Sequence, residues 1–186
     1  MKLIILDRDG VINHESADFI KSPDEWKPLK GSLEAIARLS QAGYDLVIIT
    51  NQSGIGRGLF SADMLAQIHV RMMEHIQQHG GKIQSILFCP HHPDDECSCR
   101  KPLSGMYDEL ASRLNIKFDS VFSVGDSLRD LYAAKHAGAK PVLVKTGNGK
   151  KSLKEINSNK DVDLDGSLVF DNLADFATAL LKQEIQ

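Results

Sequence analysis

The sequence predicts a doubly wound α/β fold, in which a parallel sheet carries helices on both faces. Short apolar runs alternate with amphipathic segments along the chain, the pattern expected when strands alternate with helices. The apolar runs are nearly continuous, which is typical of parallel strands buried on both sides. The 186 residues are 42% hydrophobic, enough for one sizeable core, so we expect a single Rossmann-like domain over residues 1–186.

Five elements are predicted in the first half of the chain. A helix is expected where apolar residues recur every three or four positions, and a strand where they run together. Ser32 is expected to cap the first helix, and Gly43 to end it. The elements in order are a strand at 2–6, a helix at 32–41, a strand at 44–50, a helix at 61–79 and a strand at 85–89.

The second half continues the alternation. Met106, Leu110 and Leu114 mark a helix by their four-residue spacing. Residues 147–165 are polar and charged, and no element is assigned there. The remaining elements are a strand at 120–124, a helix at 128–137, a strand at 141–145, a short strand at 167–170 and a helix from 173 to 181.

Composition excludes several classes of protein. The formal net charge of −3 provides no basic field, so we expect no nucleic-acid partner. No apolar run approaches the roughly 20 residues that span a bilayer, so we expect no membrane partner. The N-terminus lacks the long apolar stretch of a signal peptide, which predicts a cytoplasmic protein. No exposed apolar helix stands out, and we expect a monomer.

Polar or reactive residues stand at the C-terminal ends of four predicted strands. They are Asp7, Thr50, Cys89 and Asp126. Ligands of doubly wound sheets bind at the carboxyl edge of the strands, so we expect these side chains to converge on one edge of the sheet.

The first motif is Asp7-Arg8-Asp9-Gly10. A carboxylate can attack phosphorus to give an aspartyl-phosphate, and a second carboxylate nearby can protonate the leaving oxygen and then activate water. Taken alone, the motif is equally compatible with a polar strand end in which Asp9 begins a turn.

Two further motifs could hold phosphoryl oxygens. Thr50 to Ser53 offers hydroxyls, amides and backbone N–H groups, although turn-forming residues after a strand are common. Arg100-Lys101 offers two cations that could neutralise phosphate charge, although such pairs are usually solvated.

The fourth motif is Gly125-Asp126-Ser127, followed by Asp130. Carboxylates at a helix N-terminus could bind a divalent cation, or could simply cap the helix. We assign Asp130 only a supporting role.

All three cysteines of the chain fall in residues 89–99. An odd, clustered set argues against a disulfide framework and for a metal. Cys89, Cys97 and Cys99 with one histidine form a closed tetrahedral set, typical of structural zinc. Spacing allows either His91 or His92 as the fourth ligand, and three free thiols remain the alternative.

In this order, the motifs DRDGV, TNQSG, RKP and GDSLRD resemble those of the haloacid-dehalogenase-like phosphatases. The resemblance covers residues 3–147 and implies a phosphoric monoester hydrolase with a Mg²⁺ cofactor. It implies that Asp7 is the nucleophile and Asp9 the general acid and base, while Thr50 and Lys101 hold the phosphoryl group. It also implies that Mg²⁺ is bound by Asp7, Asp126 and the backbone carbonyl of Asp9, and it favours His91 as the zinc ligand.

The resemblance also implies a phosphorylated sugar substrate. No segment is long enough for a large cap domain, so short loops must provide specificity. The substrate-binding residues expected on these grounds are Glu15, Asp18, Asn51, Gln52, Ser53 and Arg100. Arg100 beside Lys101 suits a sugar bisphosphate, and the related histidinol-phosphate phosphatases are the alternative.

Three other classes of protein would use parts of this pattern. A zinc-bearing interaction module would have no need of all five catalytic residue types. A receiver-like phospho-acceptor domain would not need Asp9 or the zinc loop. A phosphotransferase differs only in the acceptor of the phosphoryl group.

Overall fold

One parallel sheet of six strands organises the computed structural model, which describes residues 2–158, 164 and 167–185. The strand order is β3-β2-β1-β4-β5-β6. The strands are β1 (Leu3–Leu6), β2 (Asp45–Asn51), β3 (Ser85–Cys89), β4 (Phe122–Gly125), β5 (Lys140–Val144) and β6 (Leu168–Phe170). The predicted doubly wound α/β class is confirmed.

The helices cover both faces of the sheet. They are α1 (Ser32–Gln41), α2 (Ala62–Gln78), α3 (Gly105–Leu114), α4 (Leu128–His136), α5 (Gly149–Ser158) and α6 (Leu173–Leu181). Successive side chains of a strand point to opposite faces. Ile4 and Leu6 of β1 therefore pack in the core with α1, α2 and α6, whereas Leu3 and Ile5 pack in the core with α3 and α4.

One expectation at a helix end needs correction. Ser32 does not cap α1, because Gly31 occupies the capping position with φ of 82°. The Ser32 hydroxyl instead donates to the carbonyls of Ile12 and Leu29, at 2.7 and 2.8 Å. The segment 147–165, to which the sequence assigns no element, contains α5, and its residues 159–163 and 165 lie outside the described part.

The topology creates the crevice in which the site lies. From β1 the chain passes to β2 and β3 on one side, and then returns to β4 on the other side of β1. Leu6 is in register with Ile48 of β2 and with Val124 of β4. Asp7 and Asp126 therefore follow neighbouring strands at the point where the winding direction reverses, which is where such folds bind ligands.

No large cap domain interrupts the described residues. Between β1 and α1 there is one short 3-10 turn, Pro23–Glu25, and between β2 and α2 there is a loop. Among the described helices, none is long and apolar enough to cross a membrane.

Candidate active site

A cavity of about 260 Å³ opens at the carboxyl edge of the sheet. Most of the predicted site residues line it. These are Asp7, Asp9, Glu15, Thr50, Asn51, Gln52, Ser53, Arg100 and Lys101. Asp18 does not line this cavity, and it lies beside a separate surface cavity formed by residues 14–27.

Lys101 is buried beside two carboxylates. Its Nζ donates to Asp7 Oδ1 at 2.9 Å and lies 2.6 Å from Asp130 Oδ1. Burial disfavours the charged amine, but Asp130 and Asp7 overcome this and raise the pKa of Lys101. Lys101 is therefore a permanent cation next to Asp7.

Asp130 holds this cation in place. Burial would raise its pKa, but Lys101 and the hydrogen bonds from Ser127 keep that pKa below the ordinary value. Asp130 Oδ2 accepts from the Ser127 backbone N–H at 3.0 Å and from the Ser127 hydroxyl. A Cβ on Gly125 would lie 2.2 Å from Asp130 Cβ, so this position needs glycine. Asp130 combines helix capping with the support of Lys101.

Three carboxylates meet at the end of β1 and β4. Ligand oxygens of Asp7, Asp126 and Asp130 all lie within 4.8 Å of one another. Burial, followed by the charge of neighbouring carboxylates, raises the pKa of Asp126 to about 8. Burial also raises the pKa of Asp7 to about 6, against the lowering effect of Lys101. Hard oxygen donors that repel one another in this way fit a divalent cation such as Mg²⁺.

Asp9 is held by four donor groups on three side chains. Its carboxylate accepts from Arg8 Nη2, Asn13 Nδ2 and Gln52 Nε2, each at 2.9 Å, and from Arg8 Nε at 3.2 Å. Trp26 donates to the Asn13 amide oxygen at 3.0 Å, which orients that amide. Burial would raise the pKa of Asp9, but Arg8 and these hydrogen bonds hold it below the ordinary value.

The residues after β2 divide into two roles. The Thr50 hydroxyl accepts from Gln52 Nε2 at 3.0 Å, which links Thr50 to the group around Asp9. Asn51 instead bonds the Lys101 backbone, donating to its carbonyl at 3.0 Å and accepting from its N–H at 3.1 Å. Asn51, expected to bind substrate, thus fixes the peptide that carries the buried lysine.

Arg100 has one guanidinium nitrogen without a hydrogen-bond partner in the described part of the chain. This nitrogen, Nη1, is buried, although the side chain lines the cavity. Arg57 and Arg129, which sequence reasoning did not single out, line the same cavity. Opposite charge comes from Glu15, whose pKa is raised to about 7 by burial and by Asp9. The mouth of the cavity therefore combines three arginines with one carboxyl group.

The predicted zinc ligands form one cluster. The Cys97 sulfur lies 3.6 Å from the sulfurs of both Cys89 and Cys99, and His91 Nδ1 lies 3.5 Å from Cys89 and 3.2 Å from Cys99. Zinc–sulfur bonds of about 2.3 Å arranged tetrahedrally place the sulfurs about 3.8 Å apart, so the set fits zinc.

His92 lies outside this cluster. Its Nδ1 is 3.3 Å from an Asp94 carboxylate oxygen instead. The geometry therefore selects His91, as the resemblance did.

Gly56 lies at a close contact between two loops. Its N–H donates to Pro90 O at 2.8 Å, and a Cβ there would lie 2.4 Å from the His92 nitrogen. The glycine-rich loop after β2 thus packs against the cysteine-rich loop. The spacing of residues along the chain does not predict this close contact between two backbones.

Comparison with known proteins gives consistent matches. A HAD-hydrolase-like family model matches residues 98–176. A D-glycero-beta-D-manno-heptose-1,7-bisphosphate 7-phosphatase of Bordetella bronchiseptica is 52% identical over 183 residues, covering 98% of this chain and 99% of that protein. The protein of the same name from Pseudomonas aeruginosa is 47% identical over 180 residues, covering 97% and 98%.

Two solved structures match over nearly the full length. The D,D-heptose 1,7-bisphosphate phosphatase of B. bronchiseptica, complexed with magnesium and phosphate, superposes with a TM-score of 0.93 at 52% identity, covering 98% of this chain and 99% of that one. The corresponding phosphatase of Burkholderia thailandensis has a TM-score of 0.75 at 42% identity, covering 97% and 99%.

Proposed function

Because the chain belongs to the D-glycero-β-D-manno-heptose-1,7-bisphosphate 7-phosphatases of the haloacid-dehalogenase-like family, we propose that it removes the 7-phosphate of this sugar bisphosphate. The observation that carries the proposal is the convergence of Asp7, Asp9, Thr50 and Lys101 on one cavity. The relatives are named for the β anomer, so we assign the β anomer as the preferred substrate.

Asp7 is the proposed nucleophile. Lys101 bonds its Oδ1, which leaves Oδ2 for attack on phosphorus. A bond forms between this oxygen and phosphorus as the bond from phosphorus to the sugar oxygen breaks. The attack brings an anion onto an anion, and the permanent charge of Lys101 offsets that repulsion.

Asp9 is the proposed proton carrier. It gives a proton to the departing sugar oxygen, and it then takes one from the water that hydrolyses the aspartyl-phosphate. In the free protein Arg8 keeps the Asp9 carboxylate ionised, which suits the second step. A dianionic phosphate bound beside Asp9 raises its affinity for the proton needed in the first step, because like charge disfavours the ionised form.

Two metals complete the proposal. Mg²⁺ would be held by Asp7, Asp126 and the Asp9 carbonyl, and when bound it neutralises phosphoryl charge. Zn²⁺ would be held by Cys89, His91, Cys97 and Cys99. The cysteine-rich loop runs directly into Arg100 and Lys101, so a metal that orders this loop also positions both cations.

Arg100 is the proposed reader of the second phosphate. A buried guanidinium nitrogen without a partner is costly, and a phosphate oxygen would satisfy it with a charge-assisted hydrogen bond. A substrate with one phosphate leaves this group unsatisfied. This favours the bisphosphate over histidinol phosphate.

The test is phosphate release in the presence of Mg²⁺ from the β and α anomers of the heptose bisphosphate and from histidinol phosphate. We expect the β-bisphosphate to have the highest kcat/KM, with loss of its 7-phosphate. A higher kcat/KM for histidinol phosphate would contradict the proposal, as would a dependence of turnover on an added sugar acceptor.

We assign the protein to the cytoplasm, as a monomer, in bacterial heptose-nucleotide and lipopolysaccharide-core synthesis. Its molecular partner is the phosphorylated sugar alone.

A further inference from the structure

We propose that Thr146, Gly147 and Asn148, named here the 146–148 arm, position the ligands of the magnesium site. The arm follows β5 and reaches across to the ends of both β1 and β4. This inference rests on the proposed function, since it takes Asp126 and the Asp9 carbonyl as the magnesium ligands.

Thr146 holds the β1 side of the site. Its hydroxyl donates to the Gly10 carbonyl at 2.6 Å. Gly10 has φ of 78° and directly follows Asp9, whose carbonyl is the proposed ligand. A fixed Gly10 peptide restricts rotation of the neighbouring peptide, so the hydroxyl of Thr146 helps to set the direction of the Asp9 carbonyl.

Asn148 holds the β4 side. Its backbone N–H donates to Asp126 Oδ2 at 2.7 Å, and its side-chain amide donates to the same oxygen at 3.3 Å. The Ser152 hydroxyl, one turn into α5, donates to the Asp126 backbone carbonyl at 3.0 Å. Both bonds from Asn148 engage Oδ2, so neither of them occupies Oδ1, the oxygen we assign to the cation. Asp126 is thus prepared as a monodentate ligand.

Gly147 passes between the two sides. A Cβ there would lie 2.1 Å from Asp126 Oδ2 and 2.6 Å from the Gly10 Cα. Its φ of 54° is in the left-handed region. Any residue with a Cβ at position 147 would displace Asp126. The 146–148 arm therefore directly contacts the ends of both strands that carry the proposed ligands.

The physical need for such an arm follows from the charges. Asp7 and Asp126 repel each other, and neither carboxylate has an obligatory orientation by itself. Mg²⁺ demands near-ideal octahedral geometry and tolerates misplaced ligands poorly. Groups that orient metal ligands typically change metal affinity or activity by about 10–100-fold when removed.

The test compares two variants of one side chain. Thr146→Val removes the hydroxyl and keeps the shape, and Thr146→Ser retains the hydroxyl. Thr178→Val is the matched control, because the Thr178 hydroxyl also donates to a backbone carbonyl, that of Ala174 at 2.8 Å, far from the site. Mg²⁺ binding to magnesium-free protein is measured by calorimetry, together with the Mg²⁺ dependence of Tm.

We expect Thr146→Val to weaken Mg²⁺ binding by about 10-fold, with Thr146→Ser and Thr178→Val close to the parent. The concentration of Mg²⁺ that half-activates turnover should rise in parallel, while kcat at saturating Mg²⁺ changes little. An unchanged Kd in Thr146→Val would overturn the inference.

A second pair probes the glycine. Gly147→Ala should weaken Mg²⁺ binding more than Gly138→Ala, since Gly138 has φ of 79° but a Cβ at that position would meet no described atom within 4 Å. Equal Mg²⁺ affinity in both variants contradicts the inference, and if Gly147→Ala does not fold, the threonine variants decide.

Asp126→Asn separates failure of the arm from failure of the metal site. If Asp126→Asn abolishes Mg²⁺ binding while Thr146→Val does not weaken it, the positioning role of the 146–148 arm is wrong and the proposed function stands. If Asp126→Asn binds Mg²⁺ normally, the metal site itself is wrong.

Discussion

The guanidinium of Arg8 lies against both carboxylate oxygens of Asp9, with Nη2 2.9 Å from each. Arg8 is only 1% exposed, which is rare for an arginine. A pair of adjacent residues at the end of a strand is thus also a buried ion pair. Arg8, the residue between the two aspartates of the DRD motif, therefore has a structural role, although the motif pattern allows any residue at this position.

Removing Arg8 should lower the stability of the protein. In Arg8→Met, Asp9 keeps Asn13 and Gln52 but loses its charge partner, and we expect a loss of about 3 kcal/mol in the free energy of unfolding. Urea denaturation measures this, with the exposed Arg38→Met as control. The double variant Arg8→Met/Asp9→Asn should be more stable than Arg8→Met. If the two are equally stable, the ion pair does not contribute as argued.

Asp7→Asn should abolish turnover, because an amide cannot form the acyl-phosphate. We expect kcat to fall by at least about 10³-fold. The metal-free variant should be at least as stable as the parent at pH 8, because burial disfavours the charged form of Asp7. Phosphate release and thermal melts test both statements. Asp45→Asn, at the opposite end of the sheet, is the matched control, and retained turnover in Asp7→Asn would remove Asp7 as nucleophile.

The two neighbouring histidines of the cysteine-rich loop should differ in metal content. His91→Ala and Cys97→Ala should each lose bound zinc and lower Tm, because a closed four-ligand site supplies order that this polar loop lacks. His92→Ala should keep the zinc content of the parent, since its ring faces Asp94. Elemental analysis of the purified variants decides. Zinc loss in His92→Ala with zinc retained in His91→Ala would reverse the assignment.

Arg100→Ala should change substrate preference. We expect KM for the bisphosphate to rise about 10-fold or more, consistent with loss of a charge-assisted hydrogen bond of about 1.5–3 kcal/mol. KM for a monophosphate should change little. Steady-state kinetics with both substrates measure the ratio, with the exposed Arg113→Ala as control. A proportional rise in both KM values would show that Arg100 does not distinguish the second phosphate.

His69 should contribute to acid sensitivity. Burial and the nearby Arg8 lower the pKa of His69 to about 4, against an ordinary value of 6.5. Between pH 6.5 and 4 the unfolded chain binds a proton at His69 that the folded chain does not. The contribution of neutral His69 to the free energy of unfolding is therefore present above pH 6.5 and is lost as pH falls towards 4. The full shift corresponds to about 3 kcal/mol.

The variant His69→Gln should therefore lose less stability than the parent over this pH range. Denaturation midpoints at pH 7, 6, 5 and 4 measure the difference, and His79→Gln, at the exposed end of α2, is the control. A parallel pH dependence in the parent and His69→Gln would contradict this assignment.

Residue spacing alone predicts the fold class and places most of the candidate site residues at one edge of the sheet. The fold class is predictable because the spacing of apolar residues indicates which segments are buried strands and which are amphipathic helices. Since strands of a parallel sheet end at one edge, the sequence predicts that Asp7, Thr50, Cys89 and Asp126 lie at the same edge.

The contacts that hold these groups in place follow from the tertiary structure. Several of these contacts join residues whose spacing along the chain follows no pattern, so periodicity does not predict them. They are the contacts of Asn51 with Lys101, of Asn13 with Asp9 and of Thr146 with Gly10. The exclusion of Asp18 from the cavity and the choice of His91 over His92 depend on side-chain direction within loops. Chain distance determines neither hydrogen-bond direction nor close backbone approach. Both arise when separate strands are brought to one edge and their polar groups must find partners away from water.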